Sequence, residues 1–151
     1  MKQNAYRSSI ITRMIALANT AERIADQGLF SHFDLSATTG GVLLMVSKFP
    51  ETTPTDIMKR FGCTRSNVTQ RLDKLETMSL LKRVANRGSD KRSISLALTP
   101  KGKKTAEILW EKVQNRATQA ESIMKPAEVE RLHEMFDRIE VFLKQSEHRA
   151  W

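Results

Sequence analysis

The order of capping signals and β-forming runs in residues 53–102 leaves this chain little freedom of fold. Thr53-Pro54-Thr55-Asp56 combines a threonine N-cap, a proline at the first helical position and an acid three residues after the cap, which together start a helix. Ile57 and Phe61, four apart, share one face of that helix. Gly62-Cys63 then supplies a short turn before Thr64 caps a second helix. In the second helix Val68, Leu72 and Leu75 step by four and three. That spacing turns Arg65, Ser66, Asn67, Thr69, Gln70 and Arg71 toward solvent or the flanks, so one side is apolar and the other donates hydrogen bonds.

Two short runs rich in β-formers follow, residues 80–85 and 93–98, separated by the polar, turn-forming cluster Asn86-Arg87-Gly88-Ser89-Asp90. They read as a hairpin with a basic tip. Two short helices, a hairpin and the start of a long helix make a winged helix-turn-helix, and the spacing predicts a mainly α chain with a small β-hairpin wing. Asp90, Arg92, Leu98, Thr99 and Gly102 spell D-x-R-x-x-x-x-x-L-T-x-x-G, and in this stretch the chain resembles the MarR (multiple antibiotic resistance regulator) family. The resemblance covers residues 35–102 by motif and the flanking helices by arrangement. Two departures stand out: Ser79 occupies a position where the family favours a glycine with left-handed backbone, and Arg87-Gly88-Ser89 replaces a proline-bearing wing tip.

Charge is distributed in keeping with that reading. The chain of 151 residues carries a formal net charge of +8. Residues 59–104 hold 13 Lys or Arg against Asp73, Glu76 and Asp90, a net of +10 in 46 residues, while the other 105 residues carry a net of −2. All the excess therefore sits on the helix-turn-helix and hairpin, where it suits a polyanion such as nucleic acid. A membrane is not implied. The longest apolar run, residues 42–46, falls far short of the roughly 18 residues a span needs. Arg7, Arg13, Glu22, Arg23 and Asp26 interrupt the apolar positions near the N-terminus, so no signal-peptide core is expected there. A single cysteine excludes an intrachain disulfide framework, and the expected location is the cytoplasm.

Outside the central unit, residues 6–28 repeat apolar side chains at helical spacing. Ser36 offers a cap before the apolar run 42–46, which predicts a largely buried helix; Gly40-Gly41 belongs either to its first turn or to a site of close packing. Beyond the hairpin, Thr99-Pro100 and Pro126 each open a helix. In the last, Val129, Leu132, Phe136, Ile139 and Leu143 form a narrow 3, 4, 3, 4 stripe suited to packing on another helix. The organisation expected is one domain, 1–151, with a DNA-binding lobe at 36–102 and a helical dimerisation region formed by 1–30 and 103–151.

The function expected is that of a sequence-specific double-stranded-DNA-binding transcriptional regulator, a homodimer on a pseudo-palindromic site. The resemblance implies repression relieved by a small-molecule effector or oxidant. It also implies DNA contact by Thr64, Arg65, Ser66, Asn67, Thr69, Gln70 and Arg71 of the second helix. Arg suits bidentate hydrogen bonding to guanine, and Asn or Gln to adenine, in the major groove. In the wing it implies that Arg92 enters the minor groove with Asp90 orienting it, while Arg87 and Lys91 are expected to contact phosphates, which position without specifying. The rival reading is a winged-helix interaction module for RNA or a protein partner. No catalytic residue, cofactor or metal is expected: His32, His133 and His148 are scattered, His133 and Asp137 make only half a metal site, and Cys63 reads as a small apolar filler.

Overall fold

The computed structural model describes residues 9–85 and 94–146. Its elements are helix α1 (Ile10–Gly28), a 3₁₀ turn (Phe30–Phe33), α2 (Ala37–Lys48), α3 (Pro54–Phe61), α4 (Arg65–Thr77), strands β1 (Leu81–Ala85) and β2 (Ile94–Leu98), α5 (Pro100–Glu121) and α6 (Pro126–Ser146). The chain divides into two units, Met1–Glu111 and Lys112–Trp151, with the boundary inside α5.

The first unit is built from locally specified helix starts. Ser36 accepts from the Thr39 amide at 3.2 Å and caps α2. Thr53 and Asp56 form a reciprocal capping box on α3: the Asp56 amide donates to the Thr53 hydroxyl at 3.2 Å, and the Thr53 amide donates to the Asp56 carboxylate at 2.9 Å. The Thr53 hydroxyl, which donates to the same carboxylate at 2.6 Å, and then the Thr53 amide hold the Asp56 carboxyl below its ordinary range. Gly62, at φ 57°, ends α3, and Thr64 caps α4.

The helices converge on one apolar core. Val42, Leu43, Ile57, Val68, Leu72, Leu75, Leu80 and Leu109 are fully buried, drawn from α2, α3, α4, the entry to β1 and the first half of α5. Leu44 and Met45 are only half-buried, so α2 keeps an accessible flank. Gly40 settles the role of the glycine pair. A Cβ there would lie 2.2 Å from the Phe30 ring, so the glycine lets the 3₁₀ turn lay its aromatic directly on α2. The helix-propensity cost, roughly 1 kcal/mol, is offset by burying a phenylalanine. At the same junction the Ala37 amide donates to the Asp26 carboxylate, tying α1 to the start of α2.

The hairpin pairs β1 and β2 antiparallel, with Leu81 opposite Leu98 and Arg83 opposite Leu96. Its entry explains the family motif. Ser79 adopts φ 56°, the left-handed conformation that the resemblance assigns to glycine. The Leu80 amide reaches back to the Leu75 carbonyl at 2.9 Å, closing α4 in a Schellman-type turn. Thr99 secures the bend from the far end of the hairpin: its hydroxyl donates to the Ser79 carbonyl at 2.6 Å and accepts from the Gly102 amide at 2.9 Å. A Cβ on Gly102 would fall 1.8 Å from the Leu80 carbonyl oxygen, so only glycine allows α5 to start this close to the strand.

The second unit has a different texture. Of its described side chains, Val113, Ala117, Met124, Val129, Leu132 and Ile139 are half-buried and none is fully buried. Phe136 and Leu143, members of the expected stripe, are 48% and 38% exposed, and Phe142 is 58% exposed.

Candidate nucleic-acid interface

The amphipathic spacing of α4 dictates its presentation. Val68, Leu72 and Leu75 are buried beneath it, which leaves Arg65, Ser66, Asn67, Thr69 and Gln70 exposed on the outer face, with the cap Thr64 exposed at the N-terminus. The Asn67 amide donates to the Thr64 hydroxyl at 3.3 Å, and the Thr69 hydroxyl donates to the Arg65 carbonyl at 3.0 Å. Arg71 is placed differently. It is half-buried, with its guanidinium 6.0 Å from the Phe61 ring centre and Nη1 3.6 Å from Cys63 Sγ, so it braces α4 against the end of α3. Arg87, Asp90, Lys91 and Arg92 lie outside the described residues.

The stem of the hairpin is fixed to α4 by side chains that the sequence reading passed over. Arg83 on β1 donates from Nη2 to Asp73 Oδ1 at 2.8 Å and from Nη1 to Glu76 Oε2, while its backbone amide donates to Glu76 Oε1 at 3.1 Å. On the opposite edge the Leu96 amide donates to the Thr52 carbonyl at 3.0 Å, just before the α3 cap. Asp73 and Glu76 stand three apart on one face of a helix, and that spacing was the available signal for a basic partner from a neighbouring element. Lys101 contributes a further link, its Nζ donating to the Met78 carbonyl at 2.9 Å at the end of α4. Between the start of α3, α4 and the hairpin stem lies an open cleft of about 590 Å³ whose walls include Thr53, Thr55, Met58, Arg65, Thr69 and Arg83.

Among the described residues, no group of three or more His, Cys, Asp and Glu is arranged to hold a metal, and no helix is long and apolar enough to cross a membrane.

Solved structures share this arrangement across most of the chain. The crystal structure of a S. aureus MepR–DNA complex superposes with a TM-score of 0.76 at 24% identity, covering 88% of this chain and 95% of that one. Streptococcus pneumoniae FabT in complex with DNA gives 0.75 at 22% identity, covering 90% and 96%. The transcriptional regulator SlyA gives 0.81 at 19% identity, covering 91% and 96%. Residues 33–93 match the sequence model of the MarR family. In that segment the chain is similar to the MarR family. The matched segment includes α2, α3, α4 and β1, and a relative extends the similarity: the uncharacterised HTH-type transcriptional regulator YfiV of Bacillus subtilis (strain 168) is 27% identical over 115 residues, covering 76% of this chain and 71% of that one.

Proposed function

We propose that this MarR-family chain is a sequence-specific double-stranded-DNA-binding transcriptional regulator that acts as a homodimer in the cytoplasm. The observation that carries the reading is the outer face of α4. It presents Arg65, Ser66, Asn67, Thr69 and Gln70 unencumbered, on a helix narrow enough for the major groove, within the segment that holds all the chain's excess positive charge. Similarity to MepR and FabT, each solved with DNA, supports the same partner. Thr64, Arg65, Ser66, Asn67, Thr69 and Gln70 read or flank base edges, and Arg71 contributes by bracing the helix. Arg92, oriented by Asp90, enters the minor groove, and Arg87 and Lys91 contact phosphates.

Dimerisation follows from the apolar side chains left uncovered on the terminal helices. On α1, Ile10, Ile15, Leu17 and Ile24 are exposed; on α6, Phe136, Val141, Phe142 and Leu143 are. A two-fold dimer sets two recognition helices about 34 Å apart, matching one turn of duplex and a pseudo-palindromic site. Regulation by repression, relieved by a small ligand or an oxidant, completes the proposal.

Selection of bound duplexes from a random pool by the full-length protein tests this directly. The expected winner is a two-fold symmetric site bound with steep salt dependence. Equal retention of all duplexes, or preference for single-stranded RNA, would overturn it.

A further inference from the structure

The charge pattern of α4 holds an anomaly. A helix that faces a polyanion carries two carboxylates, Asp73 and Glu76, in its second half. Both are engaged by one guanidinium, that of Arg83, and Glu76 also takes the Arg83 backbone amide. The fork geometry of arginine suits this double engagement, since its separate N–H groups reach two acceptors at once. The side chains are partly exposed, 29% for Arg83, 57% for Asp73 and 32% for Glu76, and ion pairs of this exposure contribute little singly. Their distinction is placement. They join the middle of β1 to the outer half of α4, two elements otherwise linked by the bend at Ser79.

We infer that the Asp73–Glu76–Arg83 clamp sets the angle of the wing relative to the recognition helix, and so holds the major-groove and minor-groove readings in one register. The inference rests on the DNA-binding reading above. From Arg83 the strand continues outward at about 3.3 Å per residue, so a small tilt at the stem grows with distance along the wing. Arg83 is therefore a positioning residue and not a phosphate contact: its charge is already met by two carboxylates. The acids are on the helix to hold it.

The test compares the parent protein with Arg83→Met, Arg83→Lys and the pair Asp73→Asn/Glu76→Gln, each confirmed folded by circular dichroism and thermal melting. Duplex selection and salt titration are run on each. The expected result for Arg83→Met is a drop in affinity for the parent's best site of about tenfold, comparable with one lost base contact. Base preference at the flanks, where the wing reads, blurs while preference under α4 persists. The slope of log K against log salt is unchanged. Asp73→Asn/Glu76→Gln gives the same blurring with Arg83 intact, and combining it with Arg83→Met adds nothing further. Arg83→Lys, a single ammonium in place of a fork, falls between parent and Arg83→Met. The clamp is overturned if the salt slope of Arg83→Met falls by about one per protomer, which marks a phosphate contact. It is also overturned if affinity falls equally for all sequences, or if the flank profile survives in both the Arg83 and the acid variants. Should Arg83→Met not fold, Arg83→Lys and the acid pair decide by the same flank profile. A parent protein that selects no duplex removes the DNA reading itself, an outcome distinct from a parent that selects and variants that do not differ.

Discussion

The winged lobe and the terminal helices solve the problem of apolar surface in opposite ways. In the lobe, aliphatic side chains from α2, α3, α4, the entry to β1 and α5 meet and disappear: Leu43, Ile57, Leu72, Leu75, Leu80 and Leu109 are essentially inaccessible. In α1 no residue is buried, and in α6 the largest side chains, Phe136 and Phe142, stay about half exposed. The difference teaches where the fold is self-sufficient. The lobe carries its own core, and the terminal helices leave much of their apolar surface exposed, the surface that the proposed dimer would cover.

The largest effect expected of this contrast is on stability. Leu75→Ala, at the centre of the lobe, should cost about 2–5 kcal/mol as a buried leucine truncation does, read by denaturant unfolding. Phe136→Ala on α6 should cost markedly less in dilute, monomeric protein, although phenylalanine is the larger residue. Equal losses would mean that α6 is as well packed in one chain as the lobe. Next in size, Phe136→Asp with Ile139→Asp should shift micromolar protein toward monomer in sedimentation. Its specific duplex affinity should fall on the order of a hundredfold, because one chain then holds one half-site without the avidity of two. A stable dimer carrying both aspartates would move the interface elsewhere.

How far the sequence announced this architecture depends on how local each signal is. The caps at Ser36, Thr53 and Thr64 and the prolines opening α3, α5 and α6 lie within one turn of what they specify, and they appear in place. Leu98-Thr99-x-x-Gly102 was readable as a pattern, but its physical content was not. That Thr99 holds the Ser79 carbonyl, and that Gly102 makes room for Leu80, depends on a bend linking segments 20 residues apart. The clamp escaped for the same reason: its members sit on a helix and a strand, and only the turn between them brings them together. Gly40 was ambiguous until the Phe30 ring, from a stretch with no periodicity, was found lying on it.

Ser79 sharpens the comparison within the lobe itself. A non-glycine residue at φ 56° is strained, and the cost is met by the surrounding bonds from Thr99 and to Leu75 and Glu76. Ser79→Gly should therefore stabilise the lobe by about 1 kcal/mol, raising the thermal midpoint without changing duplex selection. A lowered midpoint would mean that the serine side chain contributes more than its backbone costs.

The smallest effect concerns the α3 cap. Asp56 is held below the ordinary carboxyl value of 3.8 by its bonds to Thr53, so its ionised form favours the folded state. That contribution is fully present above the unfolded value and disappears as pH falls through the depressed folded value. Asp56→Asn should accordingly melt slightly below the parent at neutral pH, with the gap closing at pH values under 3.8. A gap that persists in acid would place the effect in something other than the carboxylate.

Arg83 and Leu96 face each other across the hairpin, and their amides both point away from the partner strand, one to the Glu76 carboxylate and one to the Thr52 carbonyl. A two-stranded sheet ordinarily presents two open rims on which an extended segment of another chain can add itself. Here each rim is occupied at its centre by a group from the protein's own helical framework. The middle of the two described strands is thus closed to strand addition from either side, and the Arg83 and Leu96 amides should exchange hydrogen with solvent more slowly than those of an isolated ribbon. Wings that meet one another at this point therefore find no free amide on which to extend a sheet.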